Sequence, residues 1–309
     1  MWTEDLTREL PVVSAVLGSA PESTDFAWML EFVESRMPWY KLLDQDFSAL
    51  VSAGVPIAKL VPCYRVPLLN RSEIQKVMFE VHGAALLAAA ASSIDLHVPR
   101  GDGTNRNFDV LAEIEGTVVN ADAKTRKDEF PFNLPEMEGE EAGVHGGSRA
   151  TVDRHDAVEL GATNQQANGG PNHNPNPEST VIRQILGAAL AQLPEHGCNM
   201  VLFGQIEGDH ENLIDALFGT EYVETGLYAK THEYFTRMRR MQNGAFTAPD
   251  SAELFGALTA VLWFRLWRDG DRIRGCYRGH ANPNAQVPFP DNVREKLDGV
   301  IKARELGCR

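Results

Sequence analysis

The chain has 309 residues, is 43% hydrophobic and carries a formal net charge of −14, with a pI of about 5.1. That length holds one large domain or two modest ones, with enough apolar residues for a sizeable core. The acidic balance excludes binding to nucleic acid through overall electrostatics, though not through a local basic patch.

Cys63, Cys198, Cys276 and Cys308 form no CxxC pair. That spacing excludes a zinc ribbon or a redox dithiol and fits a reducing cytosol. Glu4, Asp5 and Glu9 stand early and no basic segment precedes them, so no signal peptide is expected. The most apolar run, residues 81–94, falls short of the roughly 20 residues needed to span a bilayer. The expectation is a soluble, cytoplasmic protein with no membrane partner.

Residues 1–70 read as a helical extension. Residues 26–34 space large apolar side chains as a helix does, and residues 41–51 continue the pattern after Pro38. Residues 55–66 are apolar but interrupted by Pro56 and Pro62, with Pro67 following, which predicts a connector or an edge strand. Ser72-Glu-Ile-Gln75 has the pattern of a capping box, and the helix it opens is expected to run to about Ser92. The Ala- and Gly-rich second half of that helix permits close approach to a sheet. Glu80 sits inside it among Val77, Met78, Phe79 and Val81. Facing the sheet, this carboxylate needs a partner. Facing away, it is an ordinary solvated acid.

Residues 94–98 alternate as a short strand, and residues 99–106 form a Gly/Asn/Asp loop. Residues 107–124 read as a β-hairpin, with Glu115-Gly116 as its turn, because Gly accepts the positive φ of a tight turn. A two-residue turn sets Ile114 against Thr117 and Asp109 against Asp122. Alternation then puts Phe108, Val110, Ala112, Ile114, Val119, Ala121 and Ala123 on one, core-facing side. Asp109, Leu111, Asn120, Asp122 and Lys124 fall on the other. Like charges facing each other across a strand pair repel, with Cβ atoms roughly 5 Å apart. A divalent cation relieves that repulsion. Taken alone, Asp-Ala-Lys also reads as a local ion pair on a solvated edge.

Residues 136–178 are rich in Gly, Asn, Pro and acids, and loops of that length are functional or disordered. His145, His155 and His173 within it match no metal spacing and read as surface residues. Residues 180–193 have the pattern of an amphipathic helix. Residues 200–206 form a continuous apolar run, as in a central strand. Helices are expected at 211–218 and 222–241, a strand at 261–267, and a last helix at 292–306 after the proline-rich 283–290. Arg265, Arg268, Arg272, Arg274 and Arg278 cluster in sequence.

A helix bearing Glu80, a strand, a hairpin bearing Asp109 and Asp122-Ala-Lys124, a helix and a strand follow one another. This order resembles the PD-(D/E)xK nuclease superfamily, the restriction-endonuclease-like fold. The resemblance covers residues 71–207. It implies an α/β protein whose α-β-β-β-α-β core holds a mixed central sheet flanked by helices. Residues 1–70 would then be a helical N-terminal extension and 208–309 a C-terminal α/β extension, with the long loop inserted at about 125–178. Phe108 stands where the family prefers proline, and that loop is longer than the pattern expects.

The resemblance implies catalytic residues Glu80, Asp109, Asp122 and Lys124. One Mg²⁺ or Mn²⁺ would be held by Asp109, Asp122, Glu80 and the Ala123 carbonyl. An all-oxygen site suits these hard cations, and Lys124 would orient the attacking water. The substrate implied is nucleic acid, DNA before RNA, and a homodimer is compatible because a double-strand cut needs two sites. Arg126, Lys127 and Arg183 are candidate phosphate contacts, each equally readable as a surface charge. Two alternatives stay open: an inactive nuclease-fold module for binding or assembly, and a metal-dependent hydrolase of a small phosphorylated molecule.

Overall fold

The hairpin forms with the expected register. Glu115 and Gly116 both take positive φ, 50° and 75°, which is the two-residue turn whose twist matches the strands it joins. Ile114 pairs with Thr117 and Val110 with Ala121. In the computed structural model that carries this hairpin, the described residues are 4–18, 33, 36–70, 73–100, 106–125, 177–206, 210–219, 222–224, 238–240, 244–248 and 250–307. The expected helix at 26–34, the 136–178 loop with its histidines, Ser72, Arg126, Lys127 and Cys308 lie wholly or almost wholly outside them.

The elements are α1 (Glu4–Glu9), α2 (Pro11–Leu17), α3 (Met37–Ser52), α4 (Ile57–Leu68), α5 (Ile74–Ala90), β1 (Ser93–Pro99), β2 (Asn107–Ile114), β3 (Thr117–Thr125), α6 (Pro177–Leu190), β4 (Cys198–Gln205), α7 (His210–Phe218), β5 (Tyr222–Glu224), β6 (Met238–Arg240), α8 (Ser251–Phe255), β7 (Ala260–Asp269), β8 (Arg272–Ala281) and α9 (Asp291–Gly307). Six strands form one mixed sheet in the order β1-β2-β3-β4-β7-β8. β1, β2 and β3 meander antiparallel, β4 and β7 run parallel to β3, and β8 returns antiparallel. Every residue of the central strand β4 is buried, as a parallel strand covered on both faces must be. The protein is therefore α/β, with helices on both faces. No described helix is long and apolar enough to cross a membrane.

One face packs α2, α3, α4, α5 and α9 into a core with Val110, Ala112, Val119, Ala121 and Leu202. The other packs α6 and α7 against Val201, Phe203, Val261 and Trp263. α5 lies close on the sheet because two glycines leave room. A Cβ on Gly83 would meet Leu202 Cδ1 at 2.8 Å, and one on Gly204 would meet Phe79 Cδ1 at 2.2 Å.

Several expectations need correction. Residues 57–68 are helical despite Pro62 and Pro67. Leu60, Tyr64 and Leu68, four apart, are all buried, so tertiary burial outweighs the proline penalty. α5 begins at Ile74, after Glu73, and the expected capping box rests on Ser72, outside the described residues. The described ends of 222–241 are a short antiparallel strand pair rather than helix. Finally, Phe108 does not share a core with Val110. It joins the α6 side, and Val98 does the same although Leu96 packs on the α5 side. Both switches bracket one place in the ladder, where His97, at φ 50°, stands opposite Asp109 in a register that pairs Leu96–Val110 and Val98–Phe108.

Candidate metal centre

That local break creates the site. A non-glycine residue in the left-handed region is uncommon. At His97 it inverts the alternation of β1, so the imidazole reaches Glu80 on α5. His97 Nε2 and Glu80 Oε1 stand 2.9 Å apart, yet neither atom has an aligned hydrogen bond. Asp109 completes the group. One ligand atom each from Glu80, His97 and Asp109 lies within 4.8 Å of the others.

Asp109 also ties the group to β3. The paired ladder between β2 and β3 ends at Val110–Ala121. Beyond it the Ala123 N–H donates to Asp109 Oδ2 at 2.7 Å. The carboxylate thus fills the gap where the strands part, within reach of α5 and of the next residues of β3. Asp122 is fully sealed from solvent. Lys124 Nζ stands 2.5 Å from its Oδ2 and donates to Gln192 Oε1 at 3.0 Å. Even so, neither Asp122 oxygen has an aligned hydrogen bond.

Buried carboxylates this close do not ionise freely. Burial, then the charges of Glu80 and Asp122, push Asp109 well above the usual carboxylate range. Burial raises Asp122 as well, with Lys124 pulling the other way. Tyr64, sealed beside them, is pushed far up by burial and then by Glu80 and Asp109. His97 moves in the complementary direction. Its close contacts with Cys63 and then with Glu80, the latter a 2.9 Å ion pair short of hydrogen-bond alignment, raise it to about 10 against the opposing effect of burial. A proton on His97 is then a second positive charge facing the acids, beside the Lys124 ammonium.

The structure brings Glu80, Asp109, Asp122 and Lys124 to one place, as expected from the sequence. The side-chain ligand group that gathers here holds two of the expected ligands, Glu80 and Asp109, of an expected set that also had Asp122 and the Ala123 carbonyl. His97 is the third member, and the contact Ala123 makes is through its N–H. Arg183 is half-buried on α6, and no ion pair or hydrogen bond joins it to the cluster among the described residues. His97, Cys63, Tyr64 and Gln192 were not expected. The one available signal was a histidine inside an otherwise alternating short strand. A cavity of about 500 Å³ lies elsewhere, bordered by Asp46, His82, Tyr277 and Arg304. The metal-ligand geometry, and not this cavity, marks the candidate centre. Compared with models of known families, with curated proteins and with solved structures, the chain matches none.

Proposed function

We propose that the protein is a metal-dependent nuclease that hydrolyses phosphodiester bonds in DNA. The observation that carries this reading is the set of sealed, unaligned ligand atoms on Glu80, His97 and Asp122, gathered around Asp109 with Lys124 alongside. Buried polar atoms normally find partners. A cation fits a group made of carboxylates and one imidazole.

The order α5-β1-β2-β3-α6-β4, with β3 and β4 parallel, supports assigning the core to the restriction-endonuclease-like fold. Glu80, His97 and Asp109 would hold the ion, with Asp122 next to them. The nitrogen ligand favours Mn²⁺ over Mg²⁺, since imidazole suits softer transition ions and carboxylates suit both. Such an ion supplies charge neutralisation at the phosphate and a more acidic bound water. The chain's own residues do the rest. Lys124, held between Asp122 and Gln192, presents an ammonium to the negative charge that grows on the phosphate. Asp122 fixes that ammonium in place. Asp109, anchored by the Ala123 N–H, keeps its position as substrate arrives.

The test is cleavage of supercoiled plasmid, single-stranded DNA and RNA with Mg²⁺ or Mn²⁺. We expect divalent-dependent nicking of DNA by the wild type, falling by about 10²–10³ in Lys124→Ala, the scale of losing one positioned charge-stabilising donor, and further in Asp122→Ala. Undiminished cleavage in both variants would remove the centre from this site.

A further inference from the structure

β7 and β8 outrun the sheet. The pairing of β4 with β7 ends at Gln205–Arg265, whereas β7 and β8 stay paired to Asp269–Arg272. Residues 266–269 and 272–275 therefore project past β4 as a two-stranded ribbon, about 13 Å long at strand rise. Its two faces differ. Leu266 and Tyr277 are buried in the α5-side core and Ile273 packs against it. The opposite face carries Trp267, Arg272 and Arg274, with Arg265 and Arg278 at its base.

This hairpin concentrates positive charge in an acidic chain. Its two strands hold five arginines, and the acids Asp269 and Asp271 sit only at the tip. Arg272 and Arg278 are exposed, and Arg265, Trp267 and Arg274 are half-buried. The Arg265 guanidinium lies 5.3 Å from the Trp267 ring centroid. Arg274 meets Asp269 through Nε at 2.5 Å. A guanidinium has five N–H donors, so one such contact leaves capacity for phosphate.

Register places this face relative to the candidate centre. Lys124, Phe203, Trp263 and Arg278 form one row across β3, β4, β7 and β8. Arg278 is thus three strand spacings from Lys124, about 14 Å, on the same side of the sheet. The ribbon leaves the sheet at the end of the parallel strands where Lys124 stands.

We propose that this face of the β7–β8 ribbon binds the phosphate backbone of duplex DNA and holds it beside the Glu80–Lys124 centre. Charge complementarity selects the partner: planar guanidiniums in a row match successive phosphates. This inference rests on reading that centre as a nuclease, and binding can be tested apart from cleavage.

The experiment measures binding of a labelled DNA duplex in EDTA across a salt series, by fluorescence anisotropy. The wild type should bind with a steep salt dependence. Arg272→Ser/Arg274→Ser should weaken binding at least tenfold and lower the log–log salt slope by about 2, one for each lost phosphate contact. Arg8→Ser/Arg294→Ser removes the same charge from exposed sites on α1 and α9 and should change neither quantity by as much. Absence of duplex binding by the wild type, an unchanged slope in the ribbon variant, or an equal loss in both variants would overturn the proposal. Retained binding with no cleavage by the wild type would remove the nuclease reading and leave the ribbon standing. Normal cleavage with unaltered binding in the ribbon variant would do the reverse.

Discussion

Two buried ionic networks hang from the same helix, and they are built differently. Glu80 and His82 are two residues apart on α5, about 200° around it, so they serve opposite ends of the sheet. At His82 every polar atom is partnered. Nδ1 meets Asp46 Oδ2 at 2.7 Å, Nε2 meets the Tyr277 hydroxyl at 3.1 Å, and Arg304 Nη1 donates to Asp46 Oδ1 at 3.1 Å. The ring also stacks on Tyr277, with centroids 5.9 Å apart. At Glu80 the acids outnumber the cations, and several sealed atoms have no aligned partner. The first network is complete as the chain folds and ties α3, α5, β8 and α9 together. The second is unfinished without something positive. A buried group left unsatisfied costs stability, and we take that cost to be retained for the sake of the site.

The comparison is broken most directly by deleting one acid from each network. Asp46→Ala leaves the buried His82 and the half-buried Arg304 without their acid. Removing one partner of a buried charge pair costs about 3–5 kcal/mol, and we expect a melting temperature lower by about 10 °C in a domain of this size. Asp109→Asn should do the opposite in metal-free protein. It removes a charge that burial and its neighbours oppose, and its amide oxygen still accepts from Ala123. A higher melting temperature is expected, because burial and the neighbouring acids oppose the Asp109 charge, together with loss of metal-dependent cleavage. If Asp109→Asn destabilised the metal-free protein as much as Asp46→Ala, the two networks would be equivalent and the unfinished one would not exist.

Adding the missing charge is the next test. An ion that binds only the folded state stabilises it by about 2.7 kcal/mol at one hundred times its dissociation constant. Mn²⁺ should therefore raise the melting temperature of the wild type. It should do so far less in Glu80→Gln or His97→Phe, and normally in His82→Gln if that variant folds. A shift of equal size in Glu80→Gln would place the ion elsewhere.

The sequence made one of these networks legible and hid the other. The register from Ile114–Thr117 to Val110–Ala121 followed from a two-residue turn, and it brings Asp109 and Asp122 close although the ladder parts before they pair. Glu80 could be placed because it sits in a helix with an otherwise apolar surround. His97 could not. The seven residues between β1 and β2 leave that register undetermined, and the left-handed residue that inverts the strand has no glycine to announce it. The same inversion is why Phe108 was assigned to the wrong core. Asp46, His82, Tyr277 and Arg304 come from four distant parts of the chain, and no local pattern joins them. In β8 the inward alternation of Ile273 and Tyr277 is weak in sequence because glycines and arginines surround them. α4 holds Pro62 and Pro67, and the burial of Leu60, Tyr64 and Leu68 that overrides them is a tertiary effect with no local signal.

The smallest effect separates the two histidines by pH. His97 is raised from 6.5 to about 10 by Cys63 and Glu80. A group whose folded pKa exceeds its unfolded value contributes stability that is full below the unfolded pKa and is lost as pH rises through the folded one. The metal-free protein should therefore lose melting temperature between about pH 7 and pH 10 as His97 gives up its proton and the carboxylates lose their only mobile cation. His97→Phe should start lower at pH 7 and fall less steeply over the same range, the difference in slope amounting to at most one proton. Mn²⁺ must displace that proton to use the imidazole, so its stabilising effect in the wild type should grow with pH over the same window. A wild-type slope matched by His97→Phe would mean that the imidazole is not protonated in the folded chain, and that the acids around Asp109 are balanced by Lys124 alone.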